Sequence, residues 1–420
     1  MKNILTKYIF MMLTFSFFAL YLYLPENDNM PEIKSPLEFI KIGILSKYHL
    51  QSVKCLKFSG KITADGKIFI IQNRDIDISV SDNSELSFAI AFNGIKKRGK
   101  KITFIPDDLT KPYELAFKIP DDTMGFQKRK TEGKLEINIV PGINANNKSV
   151  FSLKIISELS FEKYIAMTVI SETGFEILKN LTDDQKQQFY LGMSTVIRSY
   201  ALKNIDRHKS DGYHLCDLTH CMHFRYQQLK AYGAKKLVML NEMNLIHETF
   251  FHASCGGQLS GPEILWSSAL KSKYYRREKD IDRFGNQYCA GSPHQQWGTN
   301  ISKKVILNLL KVDDFTSLRT IEKAGRVTAL KAKLPSGKTV KIGIANFLSG
   351  IGHLLGWNLI KSNFFYVRQL EKDTYYFSGH GLGHGIGLCM WGAAKMSAEN
   401  KSYKEILNFY YNSPKLVRLR

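Results

Sequence analysis

The chain has 420 residues, of which 44% are hydrophobic and 23% charged, a globular composition that allows two or three domains. Its formal net charge of +21 favours polyanionic partners such as nucleic acid, anionic lipid or an anionic cell wall. The lysines are spread along the chain without a nucleic-acid-binding motif, which argues against nucleic acid as the partner.

The first 30 residues are predicted to be an export segment. Lys2 and Lys7 precede an uncharged run over residues 8–24. The run is near the lower limit for a membrane-spanning helix, roughly 17–25 residues, and is longer than the usual core of a signal peptide, about 7–15 residues. Large residues stand at the end of this run, where cleavage by a signal peptidase needs small ones, so we expect an uncleaved membrane anchor. The rest of the chain would then lie outside the membrane, in the cell envelope. A cleaved signal peptide is the alternative.

Residues 31–147 are predicted to form a β-rich accessory domain. Short alternating segments such as KITADGKIFIIQN and GKLEINIV are separated by turn residues, and the ADG sequence marks a hairpin. We expect this domain to space the remainder from the membrane and to pack on it. The predicted fold class is α+β, in which a mixed domain follows over residues 148–420.

Two helices are predicted near the start of the second domain. In FEKYIAMTVISETGFEIL the apolar residues recur largely at four-residue spacing, and Glu172 lies on or beside their stripe. A carboxyl group facing a partly apolar cleft has a raised pKa, which suits a general acid, whereas a solvated Glu has no such role. In the next helix, DDQKQQFYLGMSTVIRSYALKN, Arg198 and Tyr200 could contact a polar ligand or serve the core.

A Cys/His-rich segment follows these helices. Four histidines and two cysteines fall within sixteen residues, a density that is unusual outside metal sites. The segment contains His208, His214, Cys216, His220, Cys221 and His223. In an oxidising envelope Cys216 and Cys221 could instead form a disulfide, and Cys255 with Cys289 is a plausible further pair.

The last third of the chain contains a glycine-rich loop between predicted strands and helices. Helices are predicted over residues 303–312 and in SYKEILNFYY, with Ser402 as a cap. Five glycines between residues 379 and 387 exclude a stable helix, so His380 and His384 are not the paired ligands of a helical zinc motif. Their imidazoles could bond sugar hydroxyls or transfer protons, or could simply cap groups within a turn.

Together these motifs resemble the SpoIID/LytB family of bacterial peptidoglycan enzymes. The resemblance rests on Glu172, VIRSYAL, CDLTHC, FHASCGG, KYY and SGHGLGHGIGLCMWGAAKMSAENKSYKEILNFYY, and it covers most of residues 135–414. It implies a SpoIID-like catalytic domain over residues 148–420 with a central substrate groove. The implied activity is that of a lytic transglycosylase that cuts glycan strands, typically after an amidase has removed the stem peptides. The chain departs from the family pattern at Cys255, where a small residue is expected, and at Cys389 and Met390, which replace a polar pair.

The resemblance also implies roles for single residues, with Glu172 in the place of the catalytic glutamate. The implied substrate-binding residues are Tyr274, His380, His384, Arg198 and Tyr200, of which the last two could equally be structural. Some family members hold a structural zinc ion through two cysteines and one histidine. The corresponding ligands here are Cys216, Cys221 and His208, with His214, His220 and His223 as alternatives for the histidine.

A single carboxyl group is sufficient for this reaction. Hydrolysing glycosidases usually need two, whereas in a lytic transglycosylase the C6 hydroxyl of muramic acid attacks, so one Glu can donate a proton and then accept one. The expected product is a 1,6-anhydro sugar end. Two other functions stay open: a non-catalytic peptidoglycan-binding protein that enhances an amidase, and a zinc-dependent hydrolase, which is disfavoured because two thiolates suit a structural zinc site.

Overall fold

The computed structural model describes residues 30–420 apart from 47, 65, 81–87, 93–94, 120–124, 144–148, 228–234 and 267–271. The anchor predicted over residues 8–24 therefore lies outside the described residues. Within the described part, no helix has both the length and the apolar character needed to cross a membrane.

The described residues form a mixture of strands and helices, which confirms the predicted α+β class. The strands, β1 to β22 in chain order, are Glu32–Ile33, Phe39–Ile44, Ser52–Ala64, Lys67–Val80, Phe88–Phe92, Ile95–Gly99, Lys101–Pro106, Tyr113–Lys118, Phe126–Thr131, Lys134–Ile143, Ser149–Ser160, Leu215–Cys216, Leu237–Leu240, Phe251–His252, Trp297–Ser302, Ser317–Lys323, Arg326–Lys333, Thr339–Gly343, Phe365–Glu371, Thr374–Gly379, Leu388–Cys389 and Lys415–Leu419. The helices, α1 to α6, are Phe161–Thr173, Asp183–Lys203, Lys303–Leu310, Ile344–Leu355, Met390–Ala398 and Tyr403–Tyr411.

An eleven-stranded sheet contains most of the chain before α1. Its strand order is β12-β2-β11-β10-β7-β3-β4-β5-β6, while β8 pairs with β3 and with β9. Strands β3 and β4 form the hairpin predicted at ADG, and alternate residues of β3 face a core of hydrophobic side chains. Strand β11 leads directly into α1, and β12, which ends at Cys216, pairs with β2. The sheet thus reaches the Cys/His-rich segment.

Helices α1 and α2 form where the sequence predicts them. Helix α2 begins with a capping box, in which the Thr182 hydroxyl accepts a hydrogen bond from the Gln185 N–H and the Gln185 side chain accepts one from the Thr182 N–H. Helix α1 buries Ile165 and Val169, and Gly174, at a φ of 69°, ends it. With α5 and α6, these helices form a second core, separate from that of the large sheet.

A third core lies between residues 297 and 377. Strands β15 to β20 and helices α3 and α4 surround Phe315, Phe347 and Phe377. The predicted helix over residues 303–312 is α3, and β17 and β18 form a hairpin. The sequence predicted this helix but not that these elements enclose a core of their own.

Candidate functional site

A groove of about 1400 Å³ brings several of the sequence motifs together. The predicted catalytic and substrate-binding residues that line it are Glu172, Tyr200, Tyr274 and His384, and the predicted metal ligand Cys221 and the alternative ligand His220 line it as well. The lining residues that the sequence did not single out include Lys203, Arg207, His247, Glu248, Phe250 and Trp266. The groove thus combines the end of α1, one face of α2 and the glycine-rich loop.

Glu172 lies in the last turn of α1 with its carboxyl group half-buried in the groove. The chain segment after Cys221 packs against this turn. The backbone N–H of His223 donates a hydrogen bond to Glu172 Oε1. Two residues further on, the Arg225 N–H donates to Ser171 Oγ at 3.2 Å, and that hydroxyl donates to the Arg225 carbonyl at 3.1 Å. These contacts hold the last turn of α1 against this segment and give the carboxyl group one hydrogen-bond partner.

The surroundings of Glu172 favour its protonated form. Burial raises the pKa of Glu172 from 4.5 to about 7, although the hydrogen bond from the His223 N–H partly opposes this shift. The carboxyl end of a helix also disfavours a negative charge. At neutral pH the side chain can therefore supply a proton and recover it, as an acid/base catalyst requires.

Aromatic side chains form much of the groove wall. The ring of Tyr274 lies 5.1 Å from that of His247, and Phe250 lies 4.9 Å from Trp266, measured between ring centroids. The Tyr200 hydroxyl accepts a hydrogen bond from Arg207 at 2.9 Å, and burial raises the pKa of Tyr200 to about 12, so the phenol stays neutral. Such amphipathic walls can contact the apolar faces of sugar rings and still offer polar groups.

The two histidines of the glycine-rich loop have different positions. His384 lines the groove, and its Nδ1 accepts a hydrogen bond from the Ile386 N–H at 3.0 Å. Burial lowers the pKa of His384 to about 4, so the ring is neutral. His380 is not among the groove-lining residues; its Nδ1 lies 3.0 Å from the Gln295 carbonyl, and its ring packs on Phe364. The loop is irregular, as predicted, with four glycines at φ values between 70° and 106°.

Arg198 lies in the core rather than in the groove. Its guanidinium is 1% exposed and forms a two-point ion pair with Glu162, at 3.0 Å and 2.6 Å. The remaining nitrogen donates to the carbonyls of Ser194 and Leu237. All three nitrogens therefore bind groups of the protein, which joins α2 to α1 and β13.

The Cys/His-rich segment forms a compact cluster beside the groove. The ligand atoms of His208, Cys216, His220 and Cys221 all lie within 4.8 Å of one another. Cys221 Sγ is 3.5 Å from His208 Nε2 and 3.7 Å from His220 Nδ1. The cluster contains the three predicted ligands and adds His220, one of the alternatives, as a fourth. Two thiolates and two imidazoles are a donor set that zinc takes in closed, structural sites.

Neighbouring groups hold this cluster in place. His208 Nδ1 lies 3.0 Å from Asp211 Oδ2, the second contact that a metal-binding histidine commonly makes. Asp217, between the two cysteines, is fully buried; it pairs with Arg129 and accepts a hydrogen bond from the Leu45 N–H, which attaches the segment to the large sheet. His214 lies apart, since its Nδ1 accepts from the Lys41 N–H.

Glu172 is not the only carboxyl group of the groove. Glu242 and Glu248 also line it. Glu242 is exposed and forms an ion pair with Lys273 at 2.8 Å. Glu248 is half-buried, and its backbone carbonyl accepts the hydroxyl of Tyr275. Glu248 is therefore the residue to test as a second carboxyl group.

Comparisons with known proteins give two partial similarities. No family model matches the chain. An uncharacterized protein of Brachyspira hyodysenteriae is 27% identical over 170 residues, which are 40% of this chain and 43% of that protein. The amidase enhancer of Bacillus subtilis is 42% identical over 58 residues, 14% of this chain and 8% of that protein. The chain thus matches less than half the length of either relative, and the similarity to the amidase enhancer indicates at most a distant relationship.

Proposed function

We propose that the protein is a lytic transglycosylase that cleaves the glycan strands of peptidoglycan, with Glu172 as its acid and base. The observation that carries the proposal is that the half-buried carboxyl group of Glu172 shares one groove with Tyr274 and with His384 of the glycine-rich loop. The enzyme would act in the cell envelope, held at the membrane by residues 8–24.

One carboxyl group accounts for every proton in this reaction. Protonated Glu172 gives its proton to the glycosidic oxygen, and the bond between that oxygen and the anomeric carbon of muramic acid breaks. The C6 hydroxyl of the same sugar attacks the anomeric carbon, and the Glu172 carboxylate takes the hydroxyl proton. The products are a 1,6-anhydro end and a free hydroxyl on the leaving sugar. Glu172 returns to its protonated form, and no water is consumed.

A lysine at the groove favours an anionic glycan. Lys203 lines the groove, is exposed, and forms no ion pair within the described part of the chain. Once a stem peptide has been removed, each muramic acid carries a free carboxylate. A basic protein with an exposed lysine at its groove suits such a denuded strand.

The products of the reaction test the proposal directly. The full chain should be incubated with glycan strands from which an amidase has removed the stem peptides, and the products analysed by mass spectrometry. We expect ends that are lighter than hydrolytic ends by one water. Products with reducing ends alone would identify a hydrolase and contradict the single-carboxyl mechanism.

His384 and His380 offer a matched pair of substitutions. We expect His384→Ala to lower kcat/KM for glycan cleavage about tenfold, a loss of ~1.4 kcal/mol, because it removes a side chain from the groove wall. His380→Ala should have little effect on kcat/KM, because His380 packs on Phe364 and does not line the groove. Steady-state kinetics checks both, with thermal unfolding as the control for folding. An equal fall in kcat/KM for the two folded variants would show that His380 also contacts substrate.

A non-catalytic amidase enhancer is the second candidate, favoured by the short similarity to the amidase enhancer of Bacillus subtilis. In this role the groove would bind glycan and the chain would stimulate a cell-wall amidase without cutting the strand. The full chain would then raise the rate at which an amidase releases stem peptides from peptidoglycan, and Glu172→Gln would do so equally well. No anhydro ends would form with either protein.

We also propose that the Cys/His cluster holds one structural zinc ion through His208, Cys216, His220 and Cys221. The ion would fix the segment whose His223 N–H bonds Glu172, while the four protein ligands leave no open position for catalysis. This arrangement favours a zinc-bound cluster over a Cys216–Cys221 disulfide, which would leave both histidines without a role.

The choice of histidine can be tested with His208→Ala. We expect the zinc affinity of this variant to fall by more than the about 10–100-fold that loss of an outer contact to a ligand costs. His214→Ala should retain zinc, because His214 bonds the Lys41 N–H instead. Zinc per chain, measured after dialysis against graded chelator, checks the prediction. Equal retention in both variants would remove His208 from the ligand set.

A further inference from the structure

A second cluster of potential metal ligands lies outside the groove and outside the Cys/His cluster. It consists of Cys255, Asp280, Cys289 and Cys389, and we call it the Cys/Asp cluster. Their three sulfur atoms and one carboxylate oxygen all lie within 4.8 Å of one another. Each of the four side chains is 0% exposed. They come from four places in the chain: the turn after β14, a loop, the 3-10 helix Tyr288–Gly291, and the last residue of β21.

A buried carboxylate among thiols needs compensation. Asp280 Oδ1 accepts a hydrogen bond from the Tyr410 hydroxyl at 3.1 Å, and Oδ2 accepts one from Cys255 Sγ at 2.9 Å. The nearby Arg326 forms no ion pair with Asp280; its guanidinium donates to the carbonyls of Cys255 and Gln258 and to the Asn363 side chain. Placing a carboxylate in such a site without a cation is costly, and a divalent cation bound to all four side chains would remove that cost.

Backbone donors point at the sulfur atoms. The Cys255 N–H donates to Cys389 Sγ at 3.3 Å, and the Gly257 N–H donates to Cys255 Sγ at 3.3 Å. Hydrogen bonds of this kind stabilise a thiolate over a thiol, and they occur around metal-bound cysteines as the outer contacts that orient the ligands. The buried guanidinium of Arg326, 0% exposed, adds positive charge beside a site that would carry three thiolates and a carboxylate.

We propose that Cys255, Asp280, Cys289 and Cys389 bind a second structural Zn²⁺ ion. Zinc takes thiolate sulfur at about 2.3 Å and carboxylate oxygen at about 2.0–2.2 Å, so the sulfur ligands of one tetrahedral site stand roughly 3.8 Å apart. The separation of 3.4 Å between Cys255 Sγ and Cys289 Sγ is near that value. Four protein ligands close the site, which makes the ion structural rather than catalytic.

The disulfide expected between Cys255 and Cys289 explains less of the cluster. It would use two of three buried thiols and leave Cys389 unpaired next to the Asp280 carboxyl group. The zinc site uses all four side chains. It also accounts for cysteine at both positions 255 and 389, which the family resemblance left unexplained.

The position of this ion suggests what it stabilises. Cys255 follows β14 and Cys389 ends β21, and these two strands pair beside the groove wall. The glycine-rich loop packs closely on this part of the chain, since a Cβ on Gly381 would lie 2.5 Å from the Ser254 carbonyl oxygen. His252 and His384, a few residues before each cysteine, line the groove. An ion bound to both cysteines would hold the glycine-rich loop against β14 and so preserve the shape of the groove.

Zinc content distinguishes the outcomes. The full chain is purified with a reductant and without chelator, and its zinc content is measured by elemental mass spectrometry. We expect two zinc ions per chain. Cys289→Ser and Cys216→Ser should each retain one ion. The matched control is Cys55→Ser, a buried cysteine of β3 outside both clusters, which should retain two.

The result does not depend on the variants folding. In a second sample of the wild-type chain, purified without reductant, titration with a mercurial reagent should release two equivalents of zinc to a chromogenic chelator, and alkylation after unfolding in chelator should find all six cysteines as thiols. One zinc per chain that is lost in Cys216→Ser but kept in Cys289→Ser would overturn the proposal. A deficit of two thiols from a Cys255–Cys289 disulfide, or a metal other than zinc at this cluster, would overturn it as well.

Discussion

Glu172→Gln is expected to lower the rate of glycan cleavage by about 10²–10⁴-fold, the usual contribution of a positioned acid/base group. The amide keeps the size of the side chain but cannot give a proton to the glycosidic oxygen. Its oxygen can still accept the His223 N–H, so the last turn of α1 should keep its contacts. The assay is the appearance of anhydro ends from denuded strands, followed by mass spectrometry.

Two further substitutions make this result specific. Glu176→Gln is the matched control, because Glu176 lies four residues away, is exposed and pairs with Lys179; it should keep full activity. Glu248→Gln tests the other half-buried carboxyl group of the groove. If both Glu172→Gln and Glu248→Gln abolish cleavage, and wild-type products carry reducing ends, the reaction uses two carboxyl groups and is hydrolytic.

The raised pKa of Glu172 predicts how activity and stability depend on pH. Because burial raises the pKa of Glu172 to about 7, kcat/KM should fall about tenfold per pH unit above pH 7, where the acid is ionised. A carboxyl group with a raised pKa stabilises the fold fully below about pH 4.5, and this contribution is lost as the pH rises through about 7. Glu172→Gln should therefore be at least as stable as the wild type at pH 8.

The sequence predicted those features that depend on residues close together in the chain. Glu172 could be placed because the apolar stripe of α1 and the capped start of α2 are local patterns. Cys216, Cys221 and His208 lie within one short segment, so their convergence needs only one loop. The glycines of the loop around His384 excluded a helix on backbone propensity alone.

Features that depend on tertiary packing could not be predicted in the same way. The Cys/Asp cluster joins Cys255 to Cys389 across 134 residues, and no spacing rule relates them. His384 lines the groove and His380 does not, although the two occupy equivalent GH pairs in the sequence. The third core depends on which strands pair, since β15 pairs with β20 rather than with its neighbours in the chain.

The second large effect is expected at Arg198. The family resemblance allows this arginine to bind substrate or to be structural, and its position in the core favours the structural role. We expect Arg198→Ala to lower the free energy of unfolding by about 3 kcal/mol, because it leaves the mostly buried Glu162 carboxylate and the carbonyl of Leu237 without their partner. The lowered midpoint of thermal unfolding measures this loss, and KM of the folded fraction should be unchanged.

Arg319→Ala is the matched control for this change, because Arg319 is exposed on β16 and its loss should alter stability by no more than about 0.5 kcal/mol. Combining Arg198→Ala with Glu162→Gln should lower the free energy of unfolding by less than the sum of the two single changes. The reason is that Glu162→Gln removes the charge that Arg198→Ala leaves without a partner. A substrate-binding arginine would behave in the opposite way, raising KM while the unfolding midpoint stays at the wild-type value. That outcome would require the guanidinium to leave Glu162 and reach the groove, and the two-point ion pair would then not be the stable arrangement.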